Sequence, residues 1–377
     1  FYSVTVSNQF GTVSSTGDVS VLLPSSQVVS WGDDSSGQTD VPTNLFDAVA
    51  VAGGDYHSVA IRHDGSLMAW GSDDAGQTDI PSNAVPIVAI AAGAEHNLAI
   101  TEAGEVLAWG RDDAGQVDVP SNVSSVLGVA AGDSHSLVLL VSGTVVAWGD
   151  NTYGQTSIPD SLMPYYTNYW WGGAYLVFNP NWEPVKAITA GRNHNLALLT
   201  NGTVVAWGDN SFGQSSPPAN LSNVVAVAAG YLHSVALCTD GSVVAWGDDT
   251  FGQTNVPSGL SNVVAIAAGD FHTLALCSNG RIVGWGDDTL GQLDLPPSAA
   301  NVISVASGYY HGLALVPFLP SLQFQLGRDG LIFNWEGPGA LQSAPTPSGP
   351  YTEVSNQGNS WTNADMSAPA KFFRLRQ

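Results

Sequence analysis

Seven histidines recur in a G-x-x-H pattern, and imidazole rings can hold a metal ion or transfer a proton. They are His57, His96, His135, His194, His233, His272 and His311. Successive members are 39 residues apart, except for one step of 59. This spacing places them at equivalent positions of successive structural units, too far apart to share one zinc ion with ligand bonds of about 2 Å. We therefore expect structural histidines, hydrogen-bonded to backbone between strands, with no metal site and no cofactor.

Carboxylates are the second group that could do chemistry. A pair of them about 5–10 Å apart can hydrolyse a glycosidic bond. The weak catalytic candidates are Glu95, the only glutamate directly before one of the seven histidines, and Glu183, beside Trp182. The sequence has no G-x-S-x-G, H-E-x-x-H, C-x-x-C, phosphate-binding or calcium-binding loop motif. A polysaccharide-active glycoside hydrolase is therefore an alternative rather than the leading hypothesis.

The charge balance restricts the class of partner. The chain has 32 Asp and Glu against 9 Lys and Arg, a net charge of −23. Nucleic acids and anionic membrane surfaces require basic patches, so both are excluded as expected partners. No apolar run reaches the roughly 18–20 residues of a membrane helix, so we expect no membrane insertion. A neutral or cationic partner fits best, either a protein or a glycan.

Tryptophan-glycine pairs repeat with the same period as the histidines. The tryptophans are Trp31, Trp70, Trp109, Trp148, Trp207, Trp246 and Trp285, with steps of 39 and one of 59. One unit reads as strands NVVAVAAG, HSVALC, VVAWG and TNVP, with a TDGS turn after the second. Seven such units predict an all-β, seven-bladed β-propeller.

The two ends of the repeat region complement each other. The strand QVVSWG has no partners before it, and HGLALV has no Trp-Gly after it, so together they complete one blade and close the ring. We expect the propeller over residues 25–317, a C-terminal hairpin of an immunoglobulin-like module over 1–24, and a small β module over 318–377. Cys238 and Cys277 occupy equivalent positions of neighbouring units and are expected to be free thiols.

The repeat resembles that of the regulator of chromosome condensation family. The tighter form, WGDDTFGQTNVP with AAGDFHTLAL, is similar to the bacterial β-lactamase inhibitory proteins of type II, which are secreted seven-bladed propellers. The similarity covers Gln27 to Val316 and implies protein partners. The eukaryotic members engage chromatin and a small GTPase, but the acidity of this chain argues against chromatin. The flanks resemble modules of secreted bacterial surface proteins, which implies an extracellular or cell-surface location and either a monomer or part of a longer chain.

Propeller topology assigns the loops to two faces. Face A carries the connections from strand one to two and from strand three to four, and face B carries the others. The inhibitor family grips its partner with aromatic residues just before the histidines. Here Tyr56, Tyr231, Phe271, Tyr309 and Tyr310 match, whereas Glu95, Ser134 and Asn193 differ. The binding candidates of face A are these five aromatic residues, Glu95, and the loop residues Asp34, Asp74, Asp113, Tyr153, Phe212 and Phe251.

One segment interrupts the period with 20 extra residues, near 160–184. It lies in a connection between blades, so we expect it on face B, and Gly172-Gly173 predicts a hairpin. Flat aromatic rings can stack on sugars or dock into a protein. The candidates are Tyr165, Tyr166, Tyr169, Trp170, Trp171, Tyr175 and Trp182. A cap that packs on a flanking module or covers the central channel is the alternative role.

The leading hypothesis is a secreted bacterial interaction module that binds a protein or glycan through one face without catalysis. A glycoside hydrolase and a structural spacer of a large cell-surface protein are the alternatives.

Overall fold

The computed structural model describes residues 2–8, 11–17, 25–84, 86–170, 173–318, 322–327, 330–335, 340–344, 352–353, 360–363 and 372–376. The chain divides into two compact units, Ser26–Pro317 and the combination of residues 1–25 with 318–377. The described residues contain no helix long and apolar enough to cross a membrane.

The strands run along the chain in a repeating order. An N-terminal antiparallel hairpin consists of β1 (Tyr2–Asn8) and β2 (Gly11–Gly17). The next strands are β3 (Ser25–Gly32), β4 (Ala48–Gly53), β5 (His57–Arg62), β6 (Leu67–Gly71), β7 (Ile87–Ala92), β8 (His96–Thr101), β9 (Val106–Gly110), β10 (Val126–Ala131), β11 (His135–Leu140) and β12 (Val145–Gly149). A 3₁₀ helix (Asp160–Leu162) and the hairpin strands β13 (Tyr165–Trp170) and β14 (Gly173–Phe178) follow.

The second half resumes the period. Its strands are β15 (Val185–Ala190), β16 (His194–Leu199), β17 (Val204–Gly208), β18 (Val224–Ala229), β19 (His233–Cys238), β20 (Val243–Gly247), β21 (Val263–Ala268), β22 (His272–Cys277), β23 (Ile282–Gly286), β24 (Ser304–Ser307) and β25 (His311–Phe318). The C-terminal strands are β26 (Leu322–Gly327), β27 (Gly330–Trp335), β28 (Ala340–Ala344), β29 (Thr352–Glu353), β30 (Ser360–Asn363) and β31 (Phe372–Arg376), in sheets β26-β27-β30 and β29-β28-β31. Their assignment to a separate module, and the immunoglobulin-like origin of β1 and β2, stay predictions.

Seven antiparallel sheets form the propeller, which confirms the predicted fold. Six sheets are continuous in sequence, and the seventh has the order β24-β25-β3, so the N-terminal strand completes the C-terminal blade. Backbone bonds next to the axis link the blades. Tyr309 N–H donates to the Gly54 carbonyl at 3.2 Å across the closure, as Asp55 does to Ala94 at 3.1 Å between two ordinary blades.

The fourth strand predicted for each unit is absent from the described blades. In the loop after β20, Asn255 N–H bonds the Gly252 carbonyl and Val256 N–H bonds the Thr254 carbonyl, each at 3.0 Å. These tight local turns use the donors that an edge strand would need, and Pro257 has none. Each blade therefore ends on its Trp-Gly strand.

The middle strand of each blade is the most buried, because sheets cover both of its faces. All six residues of β8, HNLAIT, are buried, and tryptophans from the third strands seal the joints between blades. Trp70, for example, packs in one cluster with Ala60 of its own blade and Leu313 of the neighbouring one. Its indole N–H donates to the Gln38 carbonyl at 2.9 Å, and all seven repeated tryptophans make the equivalent bond.

Each buried histidine hydrogen-bonds a side chain of the next blade. The Nε2 atoms of the seven repeated histidines lie 2.7–3.0 Å from side-chain oxygens. Taken in chain order from His57 to His311, the histidines pair with Asn97, Ser136, Asn195, Ser234, Thr273, Ser307 and Ser58. Six of these partners also donate to the main-chain carbonyl of a loop glutamine, as Ser234 does to Gln214 at 2.9 Å. A donating hydroxyl can still accept, so the histidine Nε2–H is the donor. The partner is thus a side chain rather than the backbone expected from the sequence.

Burial keeps these imidazoles neutral. The pKa of each is lowered because desolvation opposes the charged form. It falls to about 3 for His96, His194, His272 and His311 and to about 4 for His233.

A glycine at the end of each first strand allows this close packing. A Cβ atom on Gly230 would lie 2.3 Å from His233 Cε1 and 2.3 Å from the Gly269 carbonyl oxygen of the next blade. Any larger residue would separate the two blades at the axis.

Candidate functional site

Face A is built from loops that a buried glutamine holds rigid. In each loop the glutamine Oε1 accepts a backbone N–H two residues earlier, as Gln253 does from Phe251 at 2.9 Å. An Asp or Asn Oδ1 accepts a second N–H five residues later, as Asp249 does from Thr254 at 3.0 Å. The residue before the Gly-Gln pair therefore projects from a fixed loop.

The projecting residues change around the ring. Four consecutive blades carry Tyr153, Phe212, Phe251 and Leu290 there, and each is about half exposed. The other three blades carry Ser36, Ala75 and Ala114. One side of face A is therefore apolar at its rim.

The residue pairs before the histidines lie closer to the axis. The first member of each pair lines an axial pocket, together with the glycines that precede it. These members are Asp55, Ala94, Asp133, Arg192, Tyr231, Asp270 and Tyr309. The second members, Tyr56, Glu95, Ser134, Asn193, Leu232, Phe271 and Tyr310, do not line it and form the next ring outward.

Six aromatic side chains of face A form one continuous patch. Ring centroids are 4.2 Å apart for Tyr309 and Tyr310, 5.1 Å for Phe251 and Phe271, and 5.3 Å for Tyr231 and Phe271. Tyr56 joins through Tyr309 at 5.9 Å. We call these six residues the aromatic patch. It unites six of the twelve face A candidates that were selected from the sequence.

The other face A candidates lie outside the patch. Tyr153 and Phe212 are exposed at the rim without a ring contact to it among the described residues. Glu95 and Asp113 both pair with the guanidinium of Arg111.

Two loop aspartates make hydrogen bonds within their own loops. The Oδ1 atom of Asp34 accepts the Thr39 N–H at 2.9 Å, and Asp74 lies within 3.4 Å of the Ser72 hydroxyl. A binding role for these residues stays a prediction.

The axial pocket collects more negative than positive charge. The Arg192 Nε atom lies 3.2 Å from Asp133 Oδ2, and its guanidinium carbon lies 4.2 Å from the centroid of the Tyr231 ring. Among the described residues, no cation forms an ion pair with Asp55 or Asp270, although the charge of Arg192 lowers the pKa of both. Burial, and then the charge of Asp133, raise the pKa of Asp55 to about 7. Burial, and then the charge of Asp55, raise the pKa of Asp270 well above its usual range.

Desolvation also raises the pKa values of the patch tyrosines Tyr56, Tyr309 and Tyr310. Their hydroxyls therefore stay neutral and can donate hydrogen bonds to a partner.

The aromatic insert forms the expected hairpin, with Tyr165 opposite Phe178 and Trp170 opposite Gly173. Its base lies on face B, because Val185 N–H bonds the Gly143 carbonyl in the turn between β11 and β12. Tyr165 and Phe178 are exposed, with ring centroids 5.8 Å apart.

Of the remaining candidates in the insert, only Trp182 has a described side chain. Trp182 is half-buried and donates its indole N–H to the Leu162 carbonyl at 3.2 Å, so it helps to fix the base of the hairpin. Trp171 lies outside the described residues. Tyr166, Tyr169, Trp170 and Tyr175 are placed in the strands by their backbone.

The two catalytic candidates lie at opposite ends of the blades. Glu183 accepts a hydrogen bond from the Thr200 hydroxyl just after β16, on face B, whereas Glu95 lies just before β8, on face A. They cannot act together on one glycosidic bond. In the described ranges, no group of three or more His, Cys, Asp or Glu side chains is arranged to hold a metal ion. Cys238 and Cys277 are free thiols.

Sequence reasoning missed the role of Asp55, Asp133, Arg192 and Asp270. The available signal was their position. Each directly follows the glycine that ends the innermost strand, so it must point towards the axis, whereas the selection favoured aromatic residues.

Comparison with known proteins agrees with the fold. The model of the regulator of chromosome condensation (RCC1) repeat matches residues 48–77, 87–116, 126–155, 185–214, 224–253 and 263–292. Each match starts with the first strand of a blade and ends at the loop glutamine. No curated protein sequence matches.

Several solved structures are similar. The structure of Kap60 bound to yeast RCC1 (Prp20) has 20% identity and a TM-score of 0.63, over 79% of this chain and 90% of that chain. Prp20p from Saccharomyces cerevisiae, described with its binding properties to Gsp1p and histones, has 20% identity and a TM-score of 0.62, over 79% and 93%. Human WBSCR16 has 19% identity and a TM-score of 0.59, over 78% and 99%. These identities support the fold alone. The chain is therefore a seven-bladed β-propeller, and six of its repeats match the model of the RCC1 repeat.

Proposed function

We propose that this chain is a non-catalytic protein-binding module and that the aromatic patch of face A is its contact surface. The observation that carries the proposal is the patch itself: six aromatic side chains, each in contact with at least one other, on one side of an otherwise repetitive propeller. Clustered aromatic residues supply much of the binding energy in protein interfaces, because they bury large areas at low entropic cost.

The surroundings of the patch define the chemistry of the partner. Loop aspartates surround it, and the chain carries a net charge of −23. Like charges across an interface cost free energy, so an acidic partner is disfavoured and a neutral or basic one is favoured. The rigid loops keep the ordering cost of binding low. Two of the similar propellers are described together with protein partners, Kap60 in one case and Gsp1p and histones in the other.

The proposed setting is extracellular or at a bacterial cell surface, and this part rests on the resemblance of the sequence to secreted bacterial proteins. Detection of the protein in the culture supernatant or on intact cells would test it.

The test of the contact surface compares two matched aromatic pairs on opposite faces. Immobilised wild type, Phe271→Ala/Tyr310→Ala on face A and Tyr165→Ala/Phe178→Ala on face B are exposed to the same protein mixture and panel of polysaccharides. We expect a protein ligand whose affinity falls at least a hundredfold in the face A variant, since each hot-spot ring contributes about 2 kcal/mol. The face B variant should retain it.

A second candidate function is glycan binding through the insert, favoured by the exposed Tyr165–Phe178 pair. Retention of a polysaccharide that is lost only in the face B variant would establish it in place of the first. New reducing ends would indicate a hydrolase, and no ligand at all would leave the structural spacer.

A further inference from the structure

One buried carboxylate in the axial pocket has an oxygen atom without a hydrogen-bond partner. Asp270 is 9% exposed. Its carboxylate interacts with the Tyr309 side chain, but its Oδ2 atom has no partner among the described residues. Two other aspartates are as buried, but both are satisfied. Asp248 and Asp287 each accept from a glutamine Nε2 at 2.9 Å. A bare buried carboxylate oxygen is costly, so Asp270 differs from its neighbours in needing a donor.

The pocket around Asp270 is open to a donor from outside. It has a volume of about 120 Å³, room for several water molecules or one small polar group. Glycines from all seven blades form part of its wall, and they carry no side chain that could fill it. The only described side-chain cation that lines it, Arg192, is already held by Asp133 and stacked on Tyr231.

The charge of the pocket selects a cationic donor. The charged and titratable side chains facing it are Asp55, Asp133, Arg192, Tyr231, Asp270 and Tyr309. Three carboxyl groups thus face one guanidinium, and a bound cation would favour the ionised form of Asp55 and Asp270. Glu95 at the edge is occupied by Arg111, and the buried histidines behind the glycines are neutral. An ammonium or guanidinium group would satisfy the open Oδ2 atom of Asp270 with a charge-assisted hydrogen bond.

We infer that the axial pocket binds the ammonium or guanidinium group of a lysine or arginine side chain that the protein partner inserts along the propeller axis. This inference rests on the proposed function, because Tyr309 and Tyr231 belong to both the aromatic patch and the pocket wall. A partner docked on the patch therefore covers the mouth of the pocket. Its hydrophobic contacts would exclude water from the ion pair, which strengthens it.

The first test uses small side-chain mimics. Butylammonium and butylguanidinium are titrated into the full chain at pH 8 and followed by NMR, with pentan-1-ol as the neutral control. We expect millimolar binding of the cations, as suits ligands of so few atoms, and none of the alcohol. Asp270→Asn, which keeps the shape of the side chain, should weaken binding at least tenfold. Asp240→Asn, in an exposed turn, should not.

The pH dependence gives an independent readout. The ionised fraction of Asp55 falls from about 90% at pH 8 to about 25% at pH 6.5, given its pKa of about 7. Cation affinity should therefore fall at least threefold over this range. Equal binding of the alcohol, no binding of either cation at pH 8, or unchanged affinity in both Asp270→Asn and Asp55→Asn would overturn the inference.

The second test separates this inference from the proposed function. Tyr310 does not line the pocket, so Tyr310→Ala should weaken the protein partner but leave butylguanidinium binding unchanged. Asp270→Asn should weaken both ligands. Loss of mimic binding in Asp270→Asn without any effect on the partner would show that the partner inserts no cation, and would overturn the inference while the aromatic patch remained the contact surface.

Discussion

Acidification should unfold this propeller because its seven histidines are buried as neutral rings. A histidine whose folded pKa is depressed stabilises the protein fully above the unfolded pKa of about 6.5, and this stability is lost as the pH falls below that value. At pH 5 each histidine with a folded pKa of about 3 or 4 lowers the free energy of unfolding by about 2 kcal/mol relative to neutral pH. Five rings have such values, so the loss is about 10 kcal/mol.

The axial aspartates act in the opposite direction. The pKa of Asp55 is raised to about 7, so protonation of the folded state returns about 2 kcal/mol between pH 7 and pH 5. The pKa of Asp270 is also raised, so its protonation likewise stabilises the folded state as the pH falls. The net loss is therefore less than about 8 kcal/mol, which is comparable to the whole stability of many domains.

Urea unfolding followed by tryptophan fluorescence at pH 7.5, 6 and 5 measures this loss. We expect the midpoint to fall steeply below pH 6.5. His194→Gln should reduce the slope by up to about 1.4 kcal/mol per pH unit, because one titrating group is removed. A midpoint that is constant or rises between pH 7.5 and pH 5 would refute the reasoning.

Three substitutions test the joints between blades and the loops. Ser234→Ala leaves the His194 Nε2–H buried without an acceptor, so urea unfolding should show that the free energy of unfolding falls by about 2–4 kcal/mol. As a control, Ser242→Ala in an exposed turn should lower it by less than about 1 kcal/mol. Gly230→Ala places a Cβ atom 2.3 Å from the Gly269 carbonyl oxygen. We therefore expect no folded protein by circular dichroism, and a folded variant of wild-type stability would contradict the packing described. Gln253→Ala removes the acceptor of the Phe251 N–H and the donor to Asp248. We therefore expect lower stability and faster hydrogen exchange in that loop. Unchanged exchange would show that the glutamine does not hold the loop in place.

The repeat architecture could be predicted from the sequence because its period is carried by residues with fixed structural roles. Tryptophan must seal the joint between blades, glycine must admit the histidine ring, and glutamine must hold the loop. Each role recurs seven times, so the period is visible without a structure. The extra 20 residues were recognised for the same reason.

Other features were not predictable because they depend on which residues meet. The prediction of a fourth strand was wrong because the backbone N–H groups near Val256 bond carbonyls of their own loop, which a β-like sequence pattern does not reveal. The aromatic patch depends on distances between blades that are remote in sequence, as with Tyr56 and Tyr309. The unsatisfied oxygen of Asp270 is visible only when all of its neighbours are placed. Sequence could list the residues of face A but could not show which of them share a surface.

Hydrogen exchange of the complex is the most direct test of the central claim that face A is the binding surface. The protein would be compared alone and with the partner retained in the capture experiment. We expect slower exchange in the loops around residues 231–232, 251–253, 270–271 and 309–310, and no change on face B. Protection of the turn at 142–144 and of the hairpin at 165–178, with face A unchanged, would contradict the account.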